Sequence, residues 1–141
     1  MMMSRRKIVI IGGFLLIIVI LIALLQVFKP AKNLHKVKPD YIVTSSQLFA
    51  DFLKNESQAN TKYVGKIILI KGEIKEIIHA NDEMVILLKT EDIFSGISCR
   101  LTGSEFSKAE LLSKNQSVAV KGQCSGKLID VVLNNCVIIN Y

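Results

Sequence analysis

The sequence lacks the short motifs that mark most enzyme active sites. It has no G-x-S-x-G, no phosphate-binding P-loop and no H-E-x-x-H, and its only histidines are His35 and His79. The acid pairs at 82–83 and 91–92 fall in predicted loops, where neighbouring carboxylates are usually solvated and nothing predicts the shifted pKa that acid–base catalysis requires. The sequence therefore predicts a protein that is not an enzyme and that needs no cofactor.

Cysteine is also sparse, and its spacing does not suit a metal. Cys99, Cys124 and Cys136 include no C-x-x-C pair and have no nearby histidine. A structural zinc site needs four clustered ligands. We therefore predict no metal site.

Acidic residues are absent from residues 1–38, which hold seven Lys or Arg. Residues 39–141 hold eleven Lys or Arg against twelve Asp or Glu, a net formal charge of −1. The net charge of +6 on the whole chain therefore belongs to its first 38 residues. A nucleic-acid partner usually demands a basic face on the folded part of a protein, so this charge disfavours one.

One uncharged run dominates the N-terminus. Residues 8–28 read IVIIGGFLLIIVILIALLQVF, and as a helix they would span about 30 Å, the thickness of a bilayer core. A core helix rarely stays apolar around its whole circumference, and no small-residue cleavage site follows the run as it would in a signal peptide. We predict a basic tail over 1–7, a single transmembrane helix over 8–28 in contact with membrane lipid, and a basic, solvated linker over 29–39.

The basic residues on either side of this run do not settle its orientation. Three Lys or Arg precede it and four Lys follow it within residues 29–38, so the usual bias toward the cytoplasmic side gives no clear answer. A short N-terminal tail stays behind more easily than a long domain. We therefore expect the N-terminus inside and the domain outside the cytoplasm.

Residues 40–141 show strand patterns interrupted by helical ones. Ile68, Ile70, Ile74 and Ile78 share one face of a first strand, which ends in a hairpin turn at 81–83. Further strands are predicted at MVILLKT, IFSGISCRL, SVAVKGQC and LIDVVLNNCVII. Three strands, a helix and two strands predict a mainly β protein, a five-stranded Greek-key barrel with short helices over 40–141.

Two of the helices have recognisable ends. Ser45 or Ser46 is expected to cap a helix before the first strand, and Ser104 a shorter one between the third and fourth strands. Their predicted buried residues are, for the first helix, Leu48, Phe49, Phe52 and Leu53, and, for the second, Phe106, Leu111 and Leu112.

Several of these segments resemble the tRNA_anti-like family of bacterial OB-fold domains, which are membrane-anchored or secreted. The resemblance covers most of residues 45–140 and is carried by NESQANTKYVGK, ILIKGEIKEI, GISCRL and especially GQCSGKLIDVVLNNCVI. It implies an OB fold. The family takes its name from the anticodon-binding domains of tRNA synthetases, and a function carried over on that basis rests on fold alone.

OB domains bind single strands by stacking bases on aromatic side chains beside a positive groove. Phe94 is the only aromatic between Lys66 and Leu101, so the predicted stacking surface is thin. A modest cationic face remains as the candidate ligand-binding site, although neighbouring acids oppose it. Its residues are Lys71, Lys75, Lys89, Arg100 and Lys121.

The cysteines leave one disulfide open. If Ser125–Lys127 is a tight turn, Cys136 lies about 26 Å along its strand from the position opposite Cys124, beyond the ~7 Å that a disulfide bridges. The third and fifth strands of an OB barrel are neighbours, which makes Cys99 with Cys136 the candidate pair. Small buried thiols are the alternative.

Polar residues also interrupt the last apolar segment. Asp130, Asn134 and Asn135 break its pattern, and we expect them to bond backbone groups at a bulge or strand edge rather than to bind a ligand.

Together these features predict a membrane-anchored OB module that binds a ligand or an envelope protein. Binding of single-stranded nucleic acid is the alternative.

Overall fold

The computed structural model describes residues 5–27 and 32–140, and the side chains of residues 7–25 and 32–139. The chain divides into two compact units, one up to Ala31 and one from Lys32 onward. Each unit is described by itself.

The first unit is helix α1, Arg5–Val27. Its 23 residues extend about 34 Å at 1.5 Å per residue. The stretch Lys7–Leu25 has a mean hydropathy of 3.5 and is nowhere buried, so it is long and apolar enough to cross a membrane. The helix starts within the predicted tail, and Phe28, the last residue of the predicted span, lies outside the described residues.

The second unit contains a closed barrel. Its strands are β1 (Tyr41–Thr44), β2 (Ile67–Ala80), β3 (Glu83–Leu88), β4 (Ile97–Leu101), β5 (Ser117–Lys127) and β6 (Val131–Asn140). The helices of this unit are α2 (Ser45–Lys54), α3 (Glu56–Tyr63) and α4 (Phe106–Ala109), with 3-10 turns at Leu34–Lys36 and Gly103–Glu105.

Strand pairing closes the sheet in the order β1-β2-β3-β4-β6-β5, with β5 also paired to β2. The five-stranded OB-type barrel is therefore confirmed, formed by β2 to β6. Strand β1 is an addition that the sequence did not predict, and it pairs in parallel with the first half of β2. β4 and β6 are also parallel, with Ile97 opposite Val131, which places the starts of both strands at one end of the barrel.

A bulge changes the buried face of β2. Ile68, Ile70 and Ile74 are fully buried, as predicted, but Ile78 is 41% exposed. The pairing with β3 shifts between Ile74 and Glu76, and Ile77 packs against the core instead. The prediction for Ile78 was wrong because one extra residue in a strand inverts every later side chain.

Helix α2 starts one residue earlier than predicted. Thr44 is its cap, accepting a hydrogen bond from Gln47 N at 3.1 Å. Ser45 is buried within the helix, and its hydroxyl donates to Lys89 O at 2.6 Å. Leu53 was predicted to face the core but is 61% exposed, whereas the other three predicted residues are buried.

The connection between β4 and β5 also differs from its prediction. No side chain caps the 3-10 turn at Gly103–Glu105, so Ser104 is not a cap. Leu112 is buried as expected, but Leu111 is 82% exposed. The buried residue that replaces it is Ala109.

The last hairpin turns later than predicted. β5 continues through Lys127, which pairs with Val131, and Cys124 lies opposite Leu133. The prediction of a tight turn at Ser125–Lys127 was therefore wrong. The observed turn, residues 128–130, contains two apolar residues and an aspartate. It has no glycine, the residue that marks many tight turns.

Part of the predicted linker packs on the barrel. Leu34 is only 2% exposed, and Lys121 donates from Nζ to Val37 O at 2.7 Å and to His35 O at 3.3 Å. Residues 34–37 are therefore not a solvated linker, because the carbonyl groups of His35 and Val37 accept hydrogen bonds from the buried Lys121 ammonium.

Candidate ligand-binding surfaces

The five predicted cationic residues do not lie on one surface. Lys71 and Lys89 line a groove of about 660 Å³ between the start of α2, β2 and the start of β5. Glu73 and Glu91 line the same groove, and Lys89 forms an ion pair with Glu73. The acids therefore offset the two lysines.

The other three cations have different surroundings. Lys75 donates from Nζ to Ile93 O at 2.7 Å, and exposed Arg100 lines a separate cleft on the outside of the barrel. Lys121 is 6% exposed and already bonded to two carbonyls. Ligand binding by these residues stays a prediction, and the geometry favours Arg100 most because its guanidinium borders open space.

The aromatic residues of the described domain are mostly engaged in its core. Phe94 is 84% exposed and has a stackable face available. The remaining aromatics of residues 32–139 are buried or packed against the core, and they are Tyr41, Phe49, Phe52, Tyr63 and Phe106. A nucleic-acid strand stacks successive bases on several aromatic side chains, and the described residues of this domain expose one.

An exposed apolar surface lies where β4 and β6 start, and sequence reasoning missed it. We call it the barrel-end patch. Its members are Leu53 (61% exposed), Ile93 (77%), Phe94 (84%), Leu128 (86%) and Ile129 (73%). Leu53 lies near the loop before β4, because it lines a small cavity together with Glu91 and Asp92 of that loop. The sequence signal was large apolar residues within the turn segments EDIFSG and KLID.

Hydrogen bonds fix the first patch loop, which connects β3 to β4. Asp92 Oδ1 accepts from Phe94 N at 2.7 Å and from Ser95 N at 3.2 Å. The Thr90 hydroxyl donates to Ser95 O at 2.9 Å. The backbone beneath Ile93 and Phe94 is thus held in place while both side chains face solvent.

The second patch loop, 128–130, is bonded to the first. Asp130 Oδ1 accepts from Gly96 N at 2.8 Å, and Val131 N donates to Gly96 O at 3.1 Å. The predicted backbone role of Asp130 is what the structure shows. Asn135 sits at a bulge with φ of 54°, while Asn134 bonds a side chain, the Ser125 hydroxyl, at 2.6 Å.

The rim of the patch carries both signs of charge. Lys75 bonds the carbonyl of Ile93, and Lys127 lies 3.4 Å from the carbonyl of Leu128. Glu91, Asp92 and Asp130 provide the acids. An apolar centre with a polar rim of mixed charge is the usual anatomy of a protein–protein interface.

A buried carboxylate holds the N-terminal turn to the barrel. Glu105 is 2% exposed and accepts from His35 Nε2 at 2.7 Å and from Ile138 N at 3.0 Å. Burial alone would raise the pKa of Glu105, but hydrogen bonds from His35, Ile138 and Lys108 outweigh it and lower that pKa. This cluster is structural, because its bonding groups face each other rather than a cavity.

The three cysteines are free, buried thiols. Burial raises the pKa of Cys124. Burial also raises the pKa of Cys136 well above its usual range, and a hydrogen bond with Cys99 adds to this. Cys99 and Cys136 are therefore neighbours, and the raised pKa of Cys136 disfavours its reactive thiolate form in the folded state.

Comparison with known proteins shows that other proteins have this fold. The tRNA_anti-like family model matches residues 1–138. A candidate nucleic acid-binding lipoprotein from Klebsiella pneumoniae is similar in structure, with a TM-score of 0.61 at 15% identity, covering 79% of this chain and 100% of the other. No curated protein matches the sequence.

Two weaker structural matches each cover 56% of this chain. An OBody bound to hen egg-white lysozyme gives a TM-score of 0.45 at 11% identity, over 56% of this chain and 86% of the other. Asparaginyl-tRNA synthetase from Pyrococcus horikoshii gives 0.43 at 16% identity, over 56% of this chain and 20% of the synthetase.

Proposed function

The chain belongs to the tRNA_anti-like family, and from this premise we propose that it is a membrane-anchored, non-enzymatic OB module that binds a protein partner through the barrel-end patch. The domain lies outside the cytoplasm, and the partner is a protein of the cell envelope. The patch itself is the observation that carries this function, because its apolar side chains are exposed on a backbone that is already ordered.

Burying the patch would release a substantial free energy. Covering one large apolar side chain is worth about 1.5–3 kcal/mol, and the fixed loops reduce the ordering cost that binding otherwise imposes. An anionic lipid surface would instead favour a basic rim. The rim has three acids and two lysines, which supports a protein as the occupant.

Anchoring is supported by α1, whose apolar side chains are exposed along the whole of Lys7–Leu25. In water such a surface would aggregate, whereas a bilayer solvates it. We expect the full chain to stay with membranes through carbonate extraction. Recovery of a mature protein that starts near residue 30 would rule out the anchor.

Single-stranded nucleic acid is the second candidate ligand. The groove that contains Lys71 and Lys89 favours it, as does the name of the Klebsiella lipoprotein. Against it stand the acids in that groove, the net charge of −1 over residues 39–141 and the presence of one exposed aromatic side chain among residues 32–139.

The test is photo-crosslinking in native membranes from a photoreactive residue at position 94. We expect one discrete protein adduct, lost in Ile129→Asp and retained in Leu111→Asp. Leu111 is a matched control because it is equally apolar and exposed but lies outside the patch. Absence of an adduct, or its retention in Ile129→Asp, would contradict the proposal.

A further inference from the structure

A second cavity lies on the outside of the barrel, where β4, β6 and β5 face α3. It has a volume of about 440 Å³. We call it the basic cleft, and it is lined by Asn60, Arg100, Ser125, Gly126, Lys127, Leu128 and Val132.

Its charge contrasts with that of the domain. Two cations line the cleft and no carboxylate does, in a domain whose formal charge is −1. Neither Arg100 nor Lys127 forms an ion pair with any described residue. The acid nearest to Arg100 in the strand register is Glu83, which lies two residues before Val85, the residue opposite Arg100. Among the described residues neither charge has a carboxylate partner, and Lys127 Nζ lies 5.9 Å from the centroid of the Phe49 ring.

Strand irregularities shape the cleft. The β5–β6 pairing shifts between Cys124 and Gly126, so Ser125 is an extra residue in its strand. A bulge of this kind re-aims the side chain that it carries. Gly126 has a φ of +107°, a backbone conformation that residues other than glycine rarely adopt.

The second irregularity adjoins Arg100. The β4–β6 register shifts between Cys99 and Leu101, and Asn135 has a positive φ. Both bulges thus border the same cavity, and a further shift in the β5–β6 pairing lies between Lys121 and Gln123.

The bulged serine is a free donor. Asn134 Nδ2 donates to Ser125 Oγ at 2.6 Å, which occupies a lone pair of that oxygen and leaves its proton available. Arg100 and Lys127 also carry only donors. An acceptor group with several oxygens would satisfy all three side chains at once.

We propose that the basic cleft binds a phosphate monoester. Its charge of −1.5 to −2 near neutral pH matches the two cations better than the single charge of a carboxylate does. A guanidinium forms paired hydrogen bonds with phosphate oxygens, and an ammonium adds a point charge. The cavity lies within the usual 300–1,000 Å³ of small-molecule sites, so an organic group fits beside the phosphate, against Leu128 and Val132.

This site is proposed for a different ligand from the partner surface, although Lys127 and Leu128 belong to both. The phosphate could belong to a soluble metabolite or to a lipid headgroup, since the cleft recognises the same oxygens in each. The experiment therefore includes both sources.

The test uses the full chain in nanodiscs of neutral lipid and follows backbone amide NMR signals of Ser125, Gly126 and Lys127. Glucose 6-phosphate should shift them saturably, and glucose should not. Binding should strengthen as the pH rises through about 6, where the second phosphate proton leaves, while acetate would show no such step.

Two double substitutions test whether the phosphate binds in the basic cleft. Arg100→Gln with Lys127→Gln should weaken binding about tenfold or more, because charged hydrogen bonds of this kind are among the strongest in proteins. Lys66→Gln with Lys114→Gln removes the same charge from exposed sites elsewhere and should leave binding unchanged. If only phosphatidate-doped nanodiscs shift the signals and the cleft variant abolishes this, the proposal holds with a lipid source.

Two results would overturn the proposal. One is that neither phosphate source moves these amides. The other is that the control pair loses as much binding as the cleft pair, because the attraction would then be a property of net charge alone.

Discussion

At the scale of single residues, Glu105 is the clearest test of how the N-terminal turn is held. Its carboxylate accepts bonds from His35, Ile138 N and Lys108, the last at 3.2 Å, while being almost fully buried. Glu105→Ala leaves these donors without a partner, which should lower the free energy of unfolding by about 2–4 kcal/mol. Chemical denaturation measures this, and Glu110→Ala, at an exposed site, should change it little.

The same carboxylate gives stability a pH dependence. Its pKa is lower in the folded state than the ordinary value of 4.5, so its stabilising contribution is complete above that value and is lost as the pH falls through the lower, folded pKa. The stability difference between wild type and Glu105→Gln should shrink on acidification. A difference that stays constant with pH would show that the charge of Glu105 is irrelevant.

Gly122 is a second residue whose identity is set by a close approach. A Cβ at this position would overlap Cys136 Sγ and lie 3.2 Å from Asn134 O. Gly122→Ala should therefore destabilise the domain by about 1–3 kcal/mol through overpacking. Gly103→Ala is the control because open space surrounds that site. With all cysteines kept reduced, adding Cys136→Ala should recover part of the loss seen by thermal unfolding.

At the scale of elements, the parallel pair β4 and β6 brings Cys99 and Cys136 together. In an oxidising compartment we expect a disulfide between them, formed during folding when a thiol–disulfide oxidase removes two electrons and two protons from the pair. The bond should add roughly 4 kcal/mol of stability through the unfolded state. Peptide mapping without reductant should find this pair linked and Cys124 free.

Burial makes the Cys124 thiol inaccessible to labelling reagents in the folded domain. A turn at Ser125–Lys127 would have exposed it, but Cys124 is 2% exposed within the longer β5. All free thiols should therefore react only after denaturation. A linked Cys124–Cys136 peptide, or labelling of native Cys124, would contradict the observed strand register.

The order of the five barrel strands was readable from the sequence, whereas their register and the additional strand β1 were not. Alternating isoleucines revealed β2, and the turn at Asn81 and Asp82 followed directly from its turn-forming residues. The bulge after Ile74 and the late turn after Lys127 were missed because both depend on cross-strand pairing. Local patterns do not encode a one-residue slip.

At the scale of the whole molecule, charge counted by segment leads to a different prediction from the total charge. Separating the basic first 38 residues from the acid-balanced domain indicated a membrane flank rather than a nucleic-acid surface. The sequence also identified Arg100 as a site candidate. It did not predict that Ser125 and Lys127 would join it, nor that two loops would assemble the barrel-end patch, because those contacts exist only once the barrel closes.

Fluorescence polarisation with labelled single-stranded DNA and RNA, across a range of salt concentrations, tests most directly whether this is a protein-binding rather than a nucleic-acid-binding module. The domain from Lys32 onward should show no saturable binding near physiological salt. Sub-micromolar binding that falls steeply with salt, and that weakens in Lys71→Gln with Arg100→Gln, would contradict the account.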